Sequence, residues 1–110
     1  MPNSSAMSHG MLELLAERFK ALGEPARLQL LVTLREGERT VSELVQQTGL
    51  GQANASRHLQ ILYGQGFVTR RKTGLRVVYT LSDRVVLNLC DARYSRVELQ
   101  LDAQQRHLSG

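Results

Sequence analysis

Residues 40–64 contain two short helical segments joined by a glycine turn, and this arrangement restricts the fold more than any other feature. Thr40 and Glu43 have the spacing of a capping box, in which the threonine hydroxyl accepts from the third amide and the glutamate reaches back. The helix that follows is predicted to end at Gly49, and a second helix is predicted over residues 52–63, before two closely spaced glycines. A short helix, a glycine-containing turn and a second helix are typical of a helix-turn-helix.

The second of these helices has one apolar and one polar side. At 100° per residue its inward face carries Ala55, Leu59 and Leu62, with His58 at the edge. Asparagine and glutamine recognise adenine in the DNA major groove, and arginine recognises guanine. Ordinary polar surface helices carry the same residue types, so the neighbouring segments have to support the assignment. The residues of the outward side that we predict to contact DNA are Gln52, Ala53, Asn54, Ser56, Arg57 and Gln60.

Two β-prone runs, residues 67–71 and 76–80, follow this helix and predict a hairpin with a four-residue turn around Gly74. Residues 44–82 carry five basic side chains and no acid, whereas the net charge is −1 over residues 1–43 and 0 over residues 83–110. A polyanion that binds such a stretch releases counterions, although a solvated surface patch is the alternative. We predict that the hairpin contacts DNA, mainly at phosphates, through Arg70, Arg71, Lys72 and Arg76.

Apolar periodicity predicts three further helices, so the fold class is mainly α with a small β-hairpin wing. Residues 9–22 form an amphipathic helix, and the helix that begins at Pro25 is apolar nearly all round, which predicts that it is the most buried. A final helix over residues 83–108 has an apolar seam that is longer than so small a domain can cover. Part of this seam packs on its own domain. The residues predicted to form a dimer interface are Leu87, Cys90, Tyr94, Val97 and Leu101.

Length and composition indicate one intracellular domain. The 110 residues are 42% apolar, and we place the domain at residues 9–108 behind a flexible leader, residues 1–8. No apolar run reaches the ~20 residues of a membrane helix, and the polar N-terminus is unlike a signal peptide. We expect no enzyme activity, because the sequence contains no nucleophile–base pair, paired carboxylates or phosphate-binding glycine loop. We expect a cytoplasmic protein without a cofactor, which associates with the nucleoid when it binds DNA.

Four segments, in this order along the chain, resemble the ArsR/SmtB family of bacterial winged-helix repressors. They are ALGEPARL at residues 21–28, QANASRHL at 52–59, GQGFV at 64–68 and VYTL at 78–81. The resemblance implies an α-α-α-α-β-β-α winged helix-turn-helix and a homodimer joined through its first and last helices. It also implies a double-stranded DNA partner, an inverted-repeat operator, from which an inducer releases the protein.

The sequence departs from the metal-sensing members of that family. They often carry Cys-x-Cys at the start of the third helix, where residues 39–43 of this chain contain no cysteine. The carboxylate and imidazole ligands of the other common site, on the last helix, are matched only at Asp83. We therefore predict no metal site of either pattern, and the inducer is unidentified.

Two alternatives stay open at this point. Cys90 is the single cysteine, and it is either a small apolar residue packed in the seam or a redox or reactive-species sensor that pairs with a second subunit. The whole chain could also be a protein-interaction module that keeps the fold without a DNA target. Binding to random-sequence duplex at low salt distinguishes this module from a DNA-binding protein.

Overall fold

The computed structural model describes residues 8–109, and within that range it describes every side chain except those of Val85 and residues 106–109. The elements, in chain order, are α1 (His9–Leu22), α2 (Pro25–Leu34), β1 (Arg39–Thr40), α3 (Val41–Thr48), α4 (Gln52–Gly64), β2 (Val68–Thr73), β3 (Arg76–Leu81) and α5 (Val85–Ser109). The five predicted helices are confirmed. Residues 1–7 of the predicted leader lie outside the described residues, whereas Ser8 caps α1 by accepting from the Met11 amide at 3.1 Å.

β2 and β3 form the predicted hairpin, and within residues 8–109 β1 adds a third antiparallel strand that the sequence did not predict. β3 lies between β1 and β2, and Arg39 of β1 pairs with Tyr79 of β3. The hairpin turn is also shorter than predicted, because Thr73 pairs with Arg76 and leaves two residues between them. Gly74 takes the left-handed conformation there, with φ of +62°, which favours glycine at this position. A two-residue strand such as β1 has no alternation to reveal it in the sequence.

One apolar core joins α2, α3, α4 and the sheet. α2 contributes three side chains that are at most 1% exposed, and only three of its ten residues are exposed, which is the smallest exposed share of the five helices and agrees with its prediction as the most buried. Burying the apolar side of α4 in this core turns its polar side outward. The largest fully buried side chains are Leu30, Leu31, Leu34, Leu44, Leu59, Leu62, Val68 and Leu87.

α1 and α5 extend beyond this core. The radius of gyration is 17.3 Å, against about 13 Å for a compact chain of this length. Residues 91–105 of α5 are all exposed, and Ala21 is the one buried residue of α1. Leu87, in the first turn of α5, differs from these exposed residues because it packs into the core of its own chain. It is therefore a core residue, and its prediction as an interface residue is corrected. None of the helices described between residues 8 and 109 combines the length and the hydropathy of a membrane span.

Candidate nucleic-acid interface

The two sides of α4 are separated as predicted. Ala55, Leu59 and Leu62 are buried in the core, and His58 is buried with them instead of lying at the edge. On the outer side, Ser56 is half-buried and the remaining predicted contact residues are exposed, namely Gln52, Ala53, Asn54, Arg57 and Gln60. The exposed side therefore offers amide, hydroxyl and guanidinium groups without a carboxylate.

His58 fixes α4 against α2. Its side chain is 3% exposed, and its Nδ1 lies 3.3 Å from Nη1 of Arg27, whose Nε donates to the Ala21 carbonyl at 2.5 Å. Burial, followed by the positive charges of Arg57 and Arg27, lowers the pKa of His58. The neutral ring then accepts from Arg27 through Nδ1. His58 thus has a structural role, in which it joins α4 to α2 and to the end of α1.

Asn54 orients the guanidinium of Arg57. The two residues are one turn apart on the exposed side of α4, and Nη2 of Arg57 donates to Oδ1 of Asn54 at 2.8 Å. A guanidinium has five N–H donors, so this bond leaves four for a partner outside the chain. The N-cap of α4, Gly51, has no side chain to bond the first amides of the helix. Such amides are suited to a phosphate.

A groove of about 420 Å³ separates α4 from the wing. Arg70 crosses it, with its guanidinium carbon 4.0 Å from the centre of the Tyr63 ring. A hydrogen bond to the Tyr79 side chain raises the pKa of Arg70, so the guanidinium keeps its charge beside two aromatic rings. Predicted contact residues from both elements line this groove: Ser56, Gln60, Arg70, Arg71 and Lys72.

A second groove, of about 510 Å³, lies between the start of α3, the start of α4 and the turn of the wing. Gln52, Ser56 and Arg76 are the predicted contact residues that line it. The two grooves share Ser56, and between them they bring the wing cations next to the polar side of α4. Ala53, Asn54 and Arg57 stand on the exposed side of α4 but line neither groove.

Arg71 is paired with an acid from outside the acid-free stretch. Its Nη1 lies 2.5 Å from Oε2 of Glu38, and its Nη2 lies 2.9 Å from Oε1. These hydrogen bonds lower the pKa of Glu38 and raise that of Arg71, so both groups are charged. Sequence reasoning missed Glu38 because 33 positions separate it from Arg71 and no local pattern connects them.

Comparison with known proteins identifies the family. The family model for bacterial regulatory proteins of the arsR family, of the helix-turn-helix type, matches residues 24–70. The chain is 39% identical over 80 residues to the biofilm growth-associated repressor of Xylella fastidiosa strain Temecula1, covering 73% of this chain and 70% of that repressor. The chain belongs to the ArsR family. Its relatives are transcriptional repressors and not enzymes, and the resemblance found in the sequence is confirmed.

Two further relatives show how far this ArsR-family chain is matched. It is 39% identical over 74 residues to the "Probable mercury resistance operon repressor" of Streptomyces lividans, and the match covers 67% of this chain. The chain spans 59% of that repressor's length, which is less than two thirds. The solution structure of the homodimeric winged helix-turn-helix DNA-binding domain of Mb0332 from Mycobacterium bovis matches with a TM-score of 0.68 and 32% identity. That match covers 93% of this chain and 91% of the other, and it confirms the winged helix-turn-helix fold.

The ArsR-family chain also has an apolar face formed by α1, α2 and α5. A groove of about 690 Å³ there is lined by apolar side chains of all three helices, including Phe19, Val32 and Tyr94. Met11, Leu14 and Phe19 are 48%, 42% and 60% exposed, so the apolar stripe predicted for α1 is largely uncovered in a single chain. Tyr94 of α5 is 69% exposed. At its edge, Nη1 of Arg35 lies 2.9 Å from Oδ2 of Asp91 and joins α2 to α5. Of the predicted interface residues, this groove contains Cys90, Tyr94 and Val97, and Leu101 is exposed further along α5.

Proposed function

We propose that this ArsR-family chain is a transcriptional repressor that binds an inverted-repeat operator as a homodimer. The observation that carries the proposal is the exposed polar side of α4, which stands beside a basic sheet and contains no carboxylate. α4 enters the major groove, where Asn54, Arg57 and Gln60 reach the base edges. The wing lies on the flanking backbone, where Lys72 and Arg76 contact phosphates.

The homodimer forms through the apolar face of α1, α2 and α5. Contiguous apolar surface of this kind is typical of protein–protein contacts, and the Mb0332 domain, which this chain resembles, is homodimeric. A two-fold axis presents the two copies of α4 to successive major grooves on one side of the duplex. Dimer geometry then requires two half-sites in inverted orientation.

The inducer that releases the operator is unassigned. The thiol hypothesis, in which Cys90 is the sensor, can be tested directly. Cys90 is half-buried and lines the apolar groove of the proposed interface. Its oxidation would place a polar group in that interface and weaken the dimer. Operator binding by the chain and by Cys90→Ser, each with and without peroxide, tests this. An unchanged peroxide response in the variant eliminates the thiol hypothesis.

Selection of bound sequences from a random duplex library tests the proposed function. We expect the enriched duplexes to contain two inverted half-sites whose centres lie about 10 bp apart, or a multiple of one helical turn, because each copy of α4 reads one half-site. We also expect two chains per duplex. Failure to enrich any sequence, together with no binding to random duplex at low salt, would favour the protein-interaction module instead.

A further inference from the structure

The proposed DNA face consists of the polar side of α4 and the wing strands β2 and β3. Glu38 lies at its edge and forms an ion pair with Arg71 of the wing. It directly precedes β1, whereas Arg71 lies in β2 opposite Val78 of β3, so the ion pair spans the central strand of the sheet. The Arg71 side chain is 56% exposed and that of Glu38 is 50% exposed. The pair therefore forms at the surface, where a phosphate can reach it.

The geometry of the pair matches the way that a phosphate binds arginine. Carboxylates and phosphates both accept two parallel N–H bonds from a guanidinium, and Glu38 already accepts one bond from each terminal nitrogen of Arg71. Because the pair has no net charge, Arg71 contributes little to counterion release while it is paired. Arg70 differs, since Tyr63 and Tyr79 hold it without neutralising it.

We infer that Glu38 is an internal competitor for the phosphate site of Arg71, and that it limits how tightly the wing binds duplex DNA. This inference rests on the proposed function, because it concerns the same face. A duplex has to displace the carboxylate from Arg71, and the displaced carboxylate then stays near the phosphates and is repelled by them. The effect is the same for every DNA sequence, because phosphate contacts carry no sequence information directly.

Glu38→Gln tests the inference in the 110-residue chain, by titration of a random-sequence duplex at several salt concentrations. Each additional phosphate that the protein neutralises steepens the plot of log K against log[salt] by about 0.9. If the added contact contributes no affinity at about 1 M salt, this slope gives a rise of up to about eightfold at about 0.1 M salt and about fourfold at about 0.2 M for each subunit on the duplex. Thermal unfolding of the same samples verifies that the variant is folded.

Glu36→Gln is the matched control, because it removes the same charge at an exposed position two residues away. We expect it to change affinity less than twofold, and we expect Arg71→Ala to reduce the increase from Glu38→Gln to that control level. Equal increases from the two glutamine variants, an increase that persists without Arg71, or weaker binding by Glu38→Gln would each overturn the inference alone. A wild-type chain that binds no duplex at low salt would remove the proposed function as well.

Discussion

Replacing Arg57 with alanine tests whether α4 reads base edges. One guanidinium donor is taken by Oδ1 of Asn54, at 2.8 Å, and the donors that remain are enough for a bidentate bond to guanine. Such a bond provides about 1–3 kcal/mol of discrimination against the wrong base. The proposed dimer makes the contact twice, so Arg57→Ala should cost about 2–6 kcal/mol, or roughly 30-fold to more than 10,000-fold in affinity.

Fluorescence anisotropy with the selected operator, and with single-base variants of each half-site, measures this loss at one salt concentration. We expect Arg57→Ala to lose its preference at one base pair of each half-site and to keep the others. Lys20→Ala removes the same charge from the last turn of α1 and should bind within about twofold of the wild type. If Arg57→Ala binds as tightly as the wild type, or weakens all base variants equally, Arg57 does not read a base.

Three further predictions concern the dimer, the core and the buried histidine. Tyr94→Glu places a charge on the apolar face of α1, α2 and α5, and sedimentation velocity should show monomers at concentrations where the wild type is dimeric. Dimers that persist in the variant would mean that the subunits associate through another surface. Leu59→Ala, at a fully buried site, should lower the free energy of unfolding, measured in urea, by about 2–5 kcal/mol. Leu75→Ala, at the exposed turn, should change it by about 0.5 kcal/mol or less. Similar losses from the two variants would contradict the burial of Leu59 in the core. Burial lowers the pKa of His58, so at pH values below the ordinary pKa of 6.5 the unfolded chain binds more protons than the folded chain. The stability that the neutral ring contributes is therefore complete above pH 6.5 and decreases as the pH falls below it. Urea unfolding at about pH 7.5 and about pH 5.5 should therefore show a larger acid loss for the wild type than for His58→Gln, and an equal loss would show that His58 is not responsible.

The helices α3 and α4 could be predicted because each carries its own boundary signals. Thr40 and Glu43 form both bonds of the capping box, with Thr40 Oγ1 accepting from the Glu43 amide at 3.2 Å and Glu43 Oε1 accepting from the Thr40 amide at 2.9 Å. Gly49 ends α3 in the left-handed conformation, with φ of +76°. These signals act over three or four residues, so they are visible in the sequence without knowledge of the rest of the fold.

The apolar seam of α5 could be recognised, but its two uses could not be separated. A periodic apolar stripe shows which residues share a face, and it does not show whether their own subunit or another copy covers them. Leu87 and Tyr94 both belong to the seam, yet Leu87 is 2% exposed and Tyr94 is 69% exposed. The difference arises because the start of α5 packs on the core, whereas the rest of the helix extends past it, which depends on contacts distant in sequence.

Charge along the sequence and charge in space also differ, and this difference matters for the proposed DNA face. Residues 44–82 contain no acid. The fold nevertheless brings Glu38 and Glu43, from the preceding segment, next to the wing. Glu38 bonds Arg71 directly, whereas Glu43 bonds Thr40 in the capping box and feels Arg76 only through its electric field. The wing cations are therefore unequal, and a count of basic residues overestimates how many are free to bind phosphate. Because Glu43 is held by its role in α3, Glu38 is the carboxylate whose removal can change DNA affinity without disturbing a helix.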